Sequence, residues 1–366
     1  MHFNFLKENT RKEFTIMYDF LMIGWELDYS RNRVMVDRGN LKIKEVQIGK
    51  GNILLRYIKI FFQTLFALIK YKTKVVYIPA FNQVNAPIII LLSKIFRKKI
   101  VVDILVSEYD TIVEDRKLVP KGSLKAKKAY FLDQICLKYA DVLICDTELH
   151  KKYFIEKFGC SAEKISVIPV GAEGHFTYIP QKSSNETFRV VFYGGFSPLH
   201  GIDVILNAAA ELKDEPNISF TLVGNGQTKQ HMVNLADKLN LENITFIDRV
   251  NYEELPLFLS EFDVGLGIFG ETDKAKRVVP NKVYQVAACR LPVITTETPG
   301  IKEVFTNNDN IILVSSQGLA AKNLANAIKN LKDNSEWKAE IAMNGYNLMK
   351  DQYSVPQIRS MFNSLI

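Results

Sequence analysis

The chain has 366 residues, with 47% hydrophobic and 24% charged side chains and a formal net charge of +7. This is the composition of an ordinary globular protein long enough for about two domains, and it excludes a disordered chain, a collagen and a disulfide-held miniprotein. The charge is uneven: residues 1–180 carry 29 basic and 19 acidic side chains, residues 181–366 carry 18 and 21, and no acidic residue lies between Glu45 and Asp103. The first half therefore suits an anionic partner such as a membrane surface, a lipid phosphate or a nucleic acid.

In chain order, residues 2–6 read as a first strand and residues 12–27 as a helix. Short apolar, β-branched runs at 75–79, 99–105, 142–145 and 166–169 read as buried strands, with helices at 86–96 and 123–139. Residues 53–70 form an apolar helix on which Arg56, Lys59, Gln63, Ala67 and Lys70 make one narrow stripe. That pattern suits a helix lying in a membrane interface and suits a core helix of the first domain equally well. A linker is expected over 171–187, where Gly171, Gly174 and Pro180 precede a polar run. Beyond it, strands are expected at 190–193, 219–223, 244–247, 264–269, 292–295 and 311–314. They alternate with helices at 202–212, 228–239 and 281–289. Residues 335–366 read as two helices split near 354–356. Strand–helix alternation at this spacing implies parallel sheets covered on both faces.

The four cysteines, Cys136, Cys145, Cys160 and Cys289, form no C-x-x-C pair. Their scatter argues against a metal site and for a reducing compartment. The N-terminus lacks the apolar core and cleavage site of a secretory signal, and no stretch of 18 uncharged apolar residues is present. A cytoplasmic protein is expected, peripheral at the inner face of the cell membrane through its basic first half.

Phosphate chemistry is signalled in the second half. Gly194 and Gly195 end a strand, and a helix begins near Ile202; such a turn lets backbone N–H groups and a helix dipole approach an anion, with His200 placed to touch it. The same geometry serves a plain strand-to-helix turn. The turn Gly224-Asn225-Gly226 follows similar logic, but it lacks the third glycine and the distant acidic residue of a dinucleotide fingerprint, which argues against an NAD enzyme. Residues 268–285 follow a buried strand and open a helix near Asn281. Lys274, Arg277 and Lys282 can converge there on a diphosphate, and Gln285, one turn inside, can reach a ribose hydroxyl. A solvated basic loop is the alternative, disfavoured by the position at the carboxyl edge of the strands.

These residues resemble a known family, the retaining nucleotide-sugar glycosyltransferases of family four. The resemblance rests on Phe192 to Asp203, Leu222 to Gly226, Pro280 to Gln285 and Leu291 to Thr295 followed by Gly300 and Glu303. In the first domain it rests more thinly on Ala140 to Cys145 and Ile168 to Glu173. It implies the GT-B fold: two Rossmann-like doubly wound α/β domains facing a central cleft, over residues 1–175 (acceptor) and 186–350 (donor), with a C-terminal helix in 351–366 crossing back to the first domain. It further implies transfer of a hexose-type sugar from a nucleoside diphosphate, with retention, to a glycan or lipid-linked acceptor in cell-surface polysaccharide or glycolipid synthesis. No cofactor beyond the donor substrate is implied; with no D-x-D near the phosphate-binding segments, neither is a metal.

The sequence departs from the family pattern at four places. Gly195 stands where an Arg is common, and His200 where a Lys is common. The usual pair of glutamates falls on Arg277 and Gln285, and the histidine often found at the end of a first-domain strand is absent near Asp103. The resulting assignment gives Arg277, Lys282 and Asp103 the catalytic roles. Gly194, Gly195, His200 and Lys274 bind the diphosphate, and Gln285, Asn281, Arg249, Val250 and Phe269 the nucleoside. Glu108 and Ser107 lie on the acceptor side. The competing functions are an inactive sugar-nucleotide-binding partner of another transferase, and a nucleotide-sugar epimerase or a phosphorylase on the same fold. A solute-binding protein conflicts with the missing signal and the charge. A nucleic-acid binder is disfavoured because no known motif is present and the basic residues lack interleaved stacking aromatics.

Overall fold

A computed structural model of the chain describes residues 16–49, 51–180 and 187–366. The strand expected at 2–6, Lys12 to Thr15 and most of the polar run in the linker lie outside the described residues. The first sheet contains β1 (Phe20–Gly24), β2 (Ile43–Gln47), β3 (Val75–Ile78), β4 (Lys99–Asp103), β5 (Val142–Cys145) and β6 (Ile165–Val167). All pairings are parallel, in the order β2-β1-β3-β4-β5-β6. The helices joining them are α1 (Ser30–Met35), α2 (Ile53–Lys70), α3 (Ala86–Ile95), α4 (Leu124–Tyr139) and α5 (Glu148–Phe158). Residues alternate across each strand, so Leu21, Ile23, Val76, Ile78, Ile100 and Val102 share one face. There they meet Ile60, Leu68, Ile89, Leu137 and Phe154 from α2 to α5. The helix starts are specified locally. The Ser123 hydroxyl accepts from Ala126 N at 3.2 Å to cap α4, and the Thr147 hydroxyl accepts from His150 N at 3.1 Å to cap α5.

The helix expected over 12–27 is corrected: residues 20–24 are the strand β1, buried on both faces. A continuous apolar run carries no period to distinguish it from a buried helix segment, and β1 lies between β2 and β3 with helices above and below. The weakly apolar strand β2 and the short helix α1 were not expected at all.

The second sheet follows the expected pattern closely. It contains β7 (Phe188–Tyr193), α6 (Ile202–Glu211), β8 (Ile218–Val223), α7 (Lys229–Lys238), β9 (Ile244–Ile247), α8 (Leu255–Leu259) and β10 (Val264–Leu266). It continues with α9 (Asp273–Arg277), α10 (Asn281–Ala288), β11 (Val293–Thr296), β12 (Ile312–Val314), α11 (Ala320–Asp333) and α12 (Ser335–Gln352). The strand order is β12-β11-β10-β7-β8-β9, again all parallel. This is the doubly wound nucleotide-binding order, with its reversal point between β7 and β10.

The described residues divide into two compact units: those up to 113, with 117–169 and 358–366, form one, and those in 114–116 and 170–357 the other. The last helix, α13 (Val355–Asn363), thus ends in the first unit. Its Phe362 meets Phe20 and Tyr77 edge-to-face, with ring centroids 5.8 and 5.1 Å apart.

The catalytic expectation for Asp103 is corrected here. Asp103 closes β4 and is only 1% exposed. Its Oδ2 lies 2.6 Å from Nε of the fully buried Arg31, and its Oδ1 accepts from Leu105 N at 3.1 Å. The other Arg31 nitrogens reach the carbonyls of Pro169 and Cys145. The carboxylate therefore ties α1 to β4 inside the first unit and presents no oxygen to a substrate. Asp103→Asn is expected to lower stability by about 3–5 kcal/mol, because Arg31 is left as a buried unpaired charge, whereas Arg31→Met combined with Asp103→Leu restores most of the loss. Urea unfolding of both variants checks this; a wild-type midpoint for Asp103→Asn would overturn the structural role.

Candidate functional site

In an open parallel sheet, ligands sit beyond the carboxyl ends of the strands where the order reverses. In the second sheet these ends are Tyr193 on β7 and Leu266 on β10, so residues 194–201 and 267–272 line the point. The backbone there is shaped by glycine. Gly194 has φ +147°, and a Cβ on it would lie 2.7 Å from Lys282 Nζ. Gly224 has φ +137°, and a Cβ on it would lie 1.9 Å from the Gly194 carbonyl. The second glycine turn thus serves as a bed for the first, reinforced by Gly194 N to Val223 O at 3.0 Å and Phe196 N to Asn225 O at 2.9 Å. Gly195 is exposed, which leaves its backbone open to a ligand.

Lys282 lies in the first turn of α10 and is 6% exposed. Its Nζ sits 3.8 Å from the centroid of the Phe192 ring and has no hydrogen-bond partner among the described residues. Burial holds its pKa well below the ordinary lysine range. His200 completes the cluster: its Nε2 would be 3.6 Å from a Cβ on Gly194, and its Nδ1 pairs with the Ser197 hydroxyl at 3.0 Å. Burial, with the neighbouring Lys282 charge, pushes the His200 pKa well down. The expected cation at His200 is therefore a neutral imidazole, able to offer one N–H. The structure brings Gly194, Lys282 and His200 together.

Lys274 and Arg277 lie on the short helix α9, started by Thr272, whose hydroxyl accepts from Ala275 N at 3.2 Å. Lys274 is buried and Arg277 half-buried. Leu199, in the turn before His200, packs on Ile268, Ala275 and Val278, which fixes α9 against the residues 198–200. Asn281 opens α10 and is half-buried.

The nucleoside expectations fare unevenly. Phe269 is 1% exposed with its ring in the core, and its backbone N donates to His200 O at 2.9 Å. Arg249 and Val250 follow β9 at the sheet edge, two strands from β7, with Arg249 exposed. Gln285 is 3% exposed, and its amide is already engaged. Its Nε2 donates to Tyr252 Oη at 2.7 Å and to Glu173 Oε2 at 3.2 Å, and its Oε1 accepts from Tyr193 Oη at 2.9 Å. The Tyr252 hydroxyl donates to Glu173 Oε1 at 2.5 Å. Burial raises the Tyr193 pKa well above the usual range, which keeps that phenol a donor. Both Gln285 donors are spent, so a ribose hydroxyl would meet only its oxygen. The roles of Glu173, Tyr252 and Tyr193 were missed in the sequence.

On the acceptor side, Ser107 is 1% exposed, and its hydroxyl donates to Asp133 Oδ2 at 2.6 Å while accepting from Asp110 N at 2.9 Å. That expectation is corrected: the Ser107 hydroxyl is committed to Asp133 on α4 and to the backbone of its own loop. Glu108 N also binds Asp133, at 3.0 Å, and its side chain is half-buried. Burial pushes the Asp133 carboxyl up to about 7. In the first sheet the reversal point is between β1 and β3, where a different set gathers. Asn82 donates to Pro79 O and Ala80 O, both at 3.1 Å, and accepts from Trp25 N at 2.9 Å. The Trp25 indole N–H donates to Phe81 O at 2.7 Å. The amide cluster Asn82, Gln83 and Asn85, directly after a buried strand, was the available signal.

Residues 177–348 match the family Glycosyl transferases group 1. Chitobiosyldiphosphodolichol beta-mannosyltransferase of Candida albicans is 23% identical over 223 residues, which are 56% of this chain and 48% of that protein. The chain thus spans about half the length of that curated relative. Among solved structures, sucrose-phosphate synthase from Thermosynechococcus elongatus superposes with a TM-score of 0.74 at 15% identity, covering 94% of this chain and 97% of that one. Anabaena HepE in complex with UDP-glucose gives 0.72 at 15% identity, covering 94% and 98%. Residues 177–348 thus form a group 1 glycosyltransferase domain, in a chain with the GT-B fold of two Rossmann-like domains.

A buried amine without a partner weakens the fold wherever it must be charged. With its folded pKa below the unfolded one, the unfolded state binds the extra proton, so this part of the stability rises with pH up to about 10.5. Lys282→Met is therefore expected to raise stability at neutral pH by about 1–3 kcal/mol and to flatten that rise, while diphosphate binding falls more than tenfold. Thermal melts across pH and titration calorimetry check the pair of effects; a destabilised variant would contradict the buried, partnerless placement.

Proposed function

We propose that the protein transfers a hexose-type sugar from a nucleoside diphosphate to a glycan or lipid-linked acceptor, with retention, in the synthesis of a cell-surface polysaccharide or glycolipid. It works in the cytoplasm, peripheral at an anionic membrane surface, and needs no metal. The observation that carries the reading is the partnerless Lys282 amine against the Gly194 turn, at the reversal point of a doubly wound sheet. An anion arriving there supplies the partner that the fold withholds. The HepE complex with UDP-glucose supports the donor class, and the diphosphodolichol in the name of the Candida albicans relative supports a lipid-linked acceptor.

In this reading, charge builds on the leaving diphosphate as the anomeric bond breaks. Lys282, Arg277 and the amides of Gly194 and Gly195 stabilise it, with Lys274 and the His200 N–H behind them. An anion bound there favours the charged form of Lys282, which burial disfavours. The departing phosphate accepts the acceptor's proton, so no protein base is required. Asn281 holds the nucleoside, and Gln285, whose amide is engaged by Tyr252, Glu173 and Tyr193, supports α10 beneath it. A second reading, a sugar-nucleotide-binding partner without turnover, is favoured by one observation: the Gln285 donors are consumed by Tyr252 and Glu173.

Calorimetry with UDP, GDP, ADP and TDP is expected to show binding of one of them, unaffected by EDTA; binding of none would remove the donor site. With the matching sugar nucleotide, Arg277→Ala is expected to cut kcat/KM by roughly 10²–10³, and a near wild-type rate would remove Arg277 from the mechanism. Binding without turnover for any acceptor would select the second reading.

A further inference from the structure

The helices α2, α3 and α4 lie side by side on one face of the first sheet. Their outward surface is unusually apolar. On α2, Leu55, Ile58, Phe62, Phe66 and Ile69 follow one another at helical spacing and are 48–64% exposed, while Ile60, Thr64, Ala67 and Leu68 form the buried face. Between α3 and α4 runs a groove of about 470 Å³. Its walls are Ile90 and Leu91 on α3 and Phe131, Ile135 and Tyr139 on α4, with Leu91 59% and Phe131 58% exposed. Lys94 and Lys138 stand at its rim. Lys94 pairs with Asp141 at 2.6 Å, and Lys138 lies 5.3 Å from the Tyr139 ring. Arg97, Lys99, Lys127 and Lys128 are exposed nearby in sequence, and no acidic residue occurs from 46 to 102.

We propose that this groove holds one hydrocarbon chain of an anionic bilayer lipid, its headgroup resting against Lys94 and Lys138 while the α2 stripe enters the interface. The proposal rests on the membrane reading above and adds a defined lipid site to it. The match is chemical. An apolar slot of a size typical for a small-molecule site, opening between two ammonium groups, complements an amphiphile with an anionic head. The adjoining apolar ridge gives the bilayer side, and each near-surface cation adds attraction to anionic lipid.

The test uses the full chain with vesicles of phosphatidylcholine, with and without phosphatidylglycerol, the latter carrying a photoactivatable diazirine on one acyl chain. The expected result is flotation that requires phosphatidylglycerol, with cross-links on peptides containing 86–95 and 124–139. Leu91→Gln combined with Phe131→Gln, both exposed changes, is expected to lower cross-linking about tenfold through lost apolar contact while flotation persists. Phe62→Gln combined with Phe66→Gln is expected to weaken flotation itself. Flotation with cross-links elsewhere would overturn the groove and leave the membrane reading standing. No flotation would overturn both, as would lipid-independent, concentration-dependent self-association that buries Leu91 and Phe131.

Discussion

A parallel sheet whose strand order reverses sends the chain away from two neighbouring strands in opposite directions, and the gap between the departing loops is fixed by topology before any side chain is chosen. Here that constraint acts at β7 and β10. Tyr193, the last residue of β7, hands over to Gly194, whose positive φ turns the backbone away from the sheet. Gly224, at the end of the adjacent β8, must also lack a side chain, because the Gly194 carbonyl occupies that space. Once the two turns are stacked, α10 can approach closely enough to lay Lys282 over Phe192, and α9 can rest on the turn containing His200. The positions of the cations are thus consequences of the strand order and of two missing Cβ atoms.

Lys282 shows why such a site is kept. An amine buried over an aromatic ring, with no acceptor, is a destabilising choice that a Met or Leu would relieve, and in the proposed reading the arriving diphosphate supplies the missing partner. The nearby His200 has its pKa lowered for a related reason: burial disfavours its charged form, and the neighbouring Lys282 charge adds to that. The network of Glu173, Tyr252, Gln285 and Tyr193 has the opposite character. Every strong donor in it has an acceptor, which makes it a rigid floor under α10 rather than an open ligand surface.

Much of this was legible in the sequence. The strands β5 and β9 lie at the expected residues, and the glycine turn, α10 and the basic segment before it were all placed on the right sheet edge. These features are local: period, punctuation and charge within about twenty residues. What was lost is not local. The fully buried β1 has no alternation to read. Asp103 and Ser107 were assigned roles because they lie at or just beyond the end of β4, but whether such a side chain points out or in depends on a neighbour far along the chain: Arg31 for Asp103, Asp133 for Ser107. Gln285 is engaged by residues from three other segments, at 173, 193 and 252, and no spacing within one helix announces such a meeting.

The helix α2 illustrates a different limit. Its sequence suits a core helix and an interface helix equally, and the structure shows one face buried in the core and an opposite apolar face exposed. Ile60, Ala67 and Leu68 are in the core of the first unit, while the opposite stripe from Leu55 to Ile69 stands outside it. Ala67, grouped with the basic residues in the sequence, belongs to the core face. A helix that only covers a sheet needs one apolar stripe, and its outward positions ordinarily carry charges of both signs. Here the outward positions are apolar beside Lys59 and Lys70, and the whole stretch through α3 carries no carboxylate. Folding the first unit requires none of that. The proposed docking on an anionic bilayer rests on this combination of exposed phenylalanines with lysines on an acid-free, doubly apolar layer, a combination that covering the sheet does not call for.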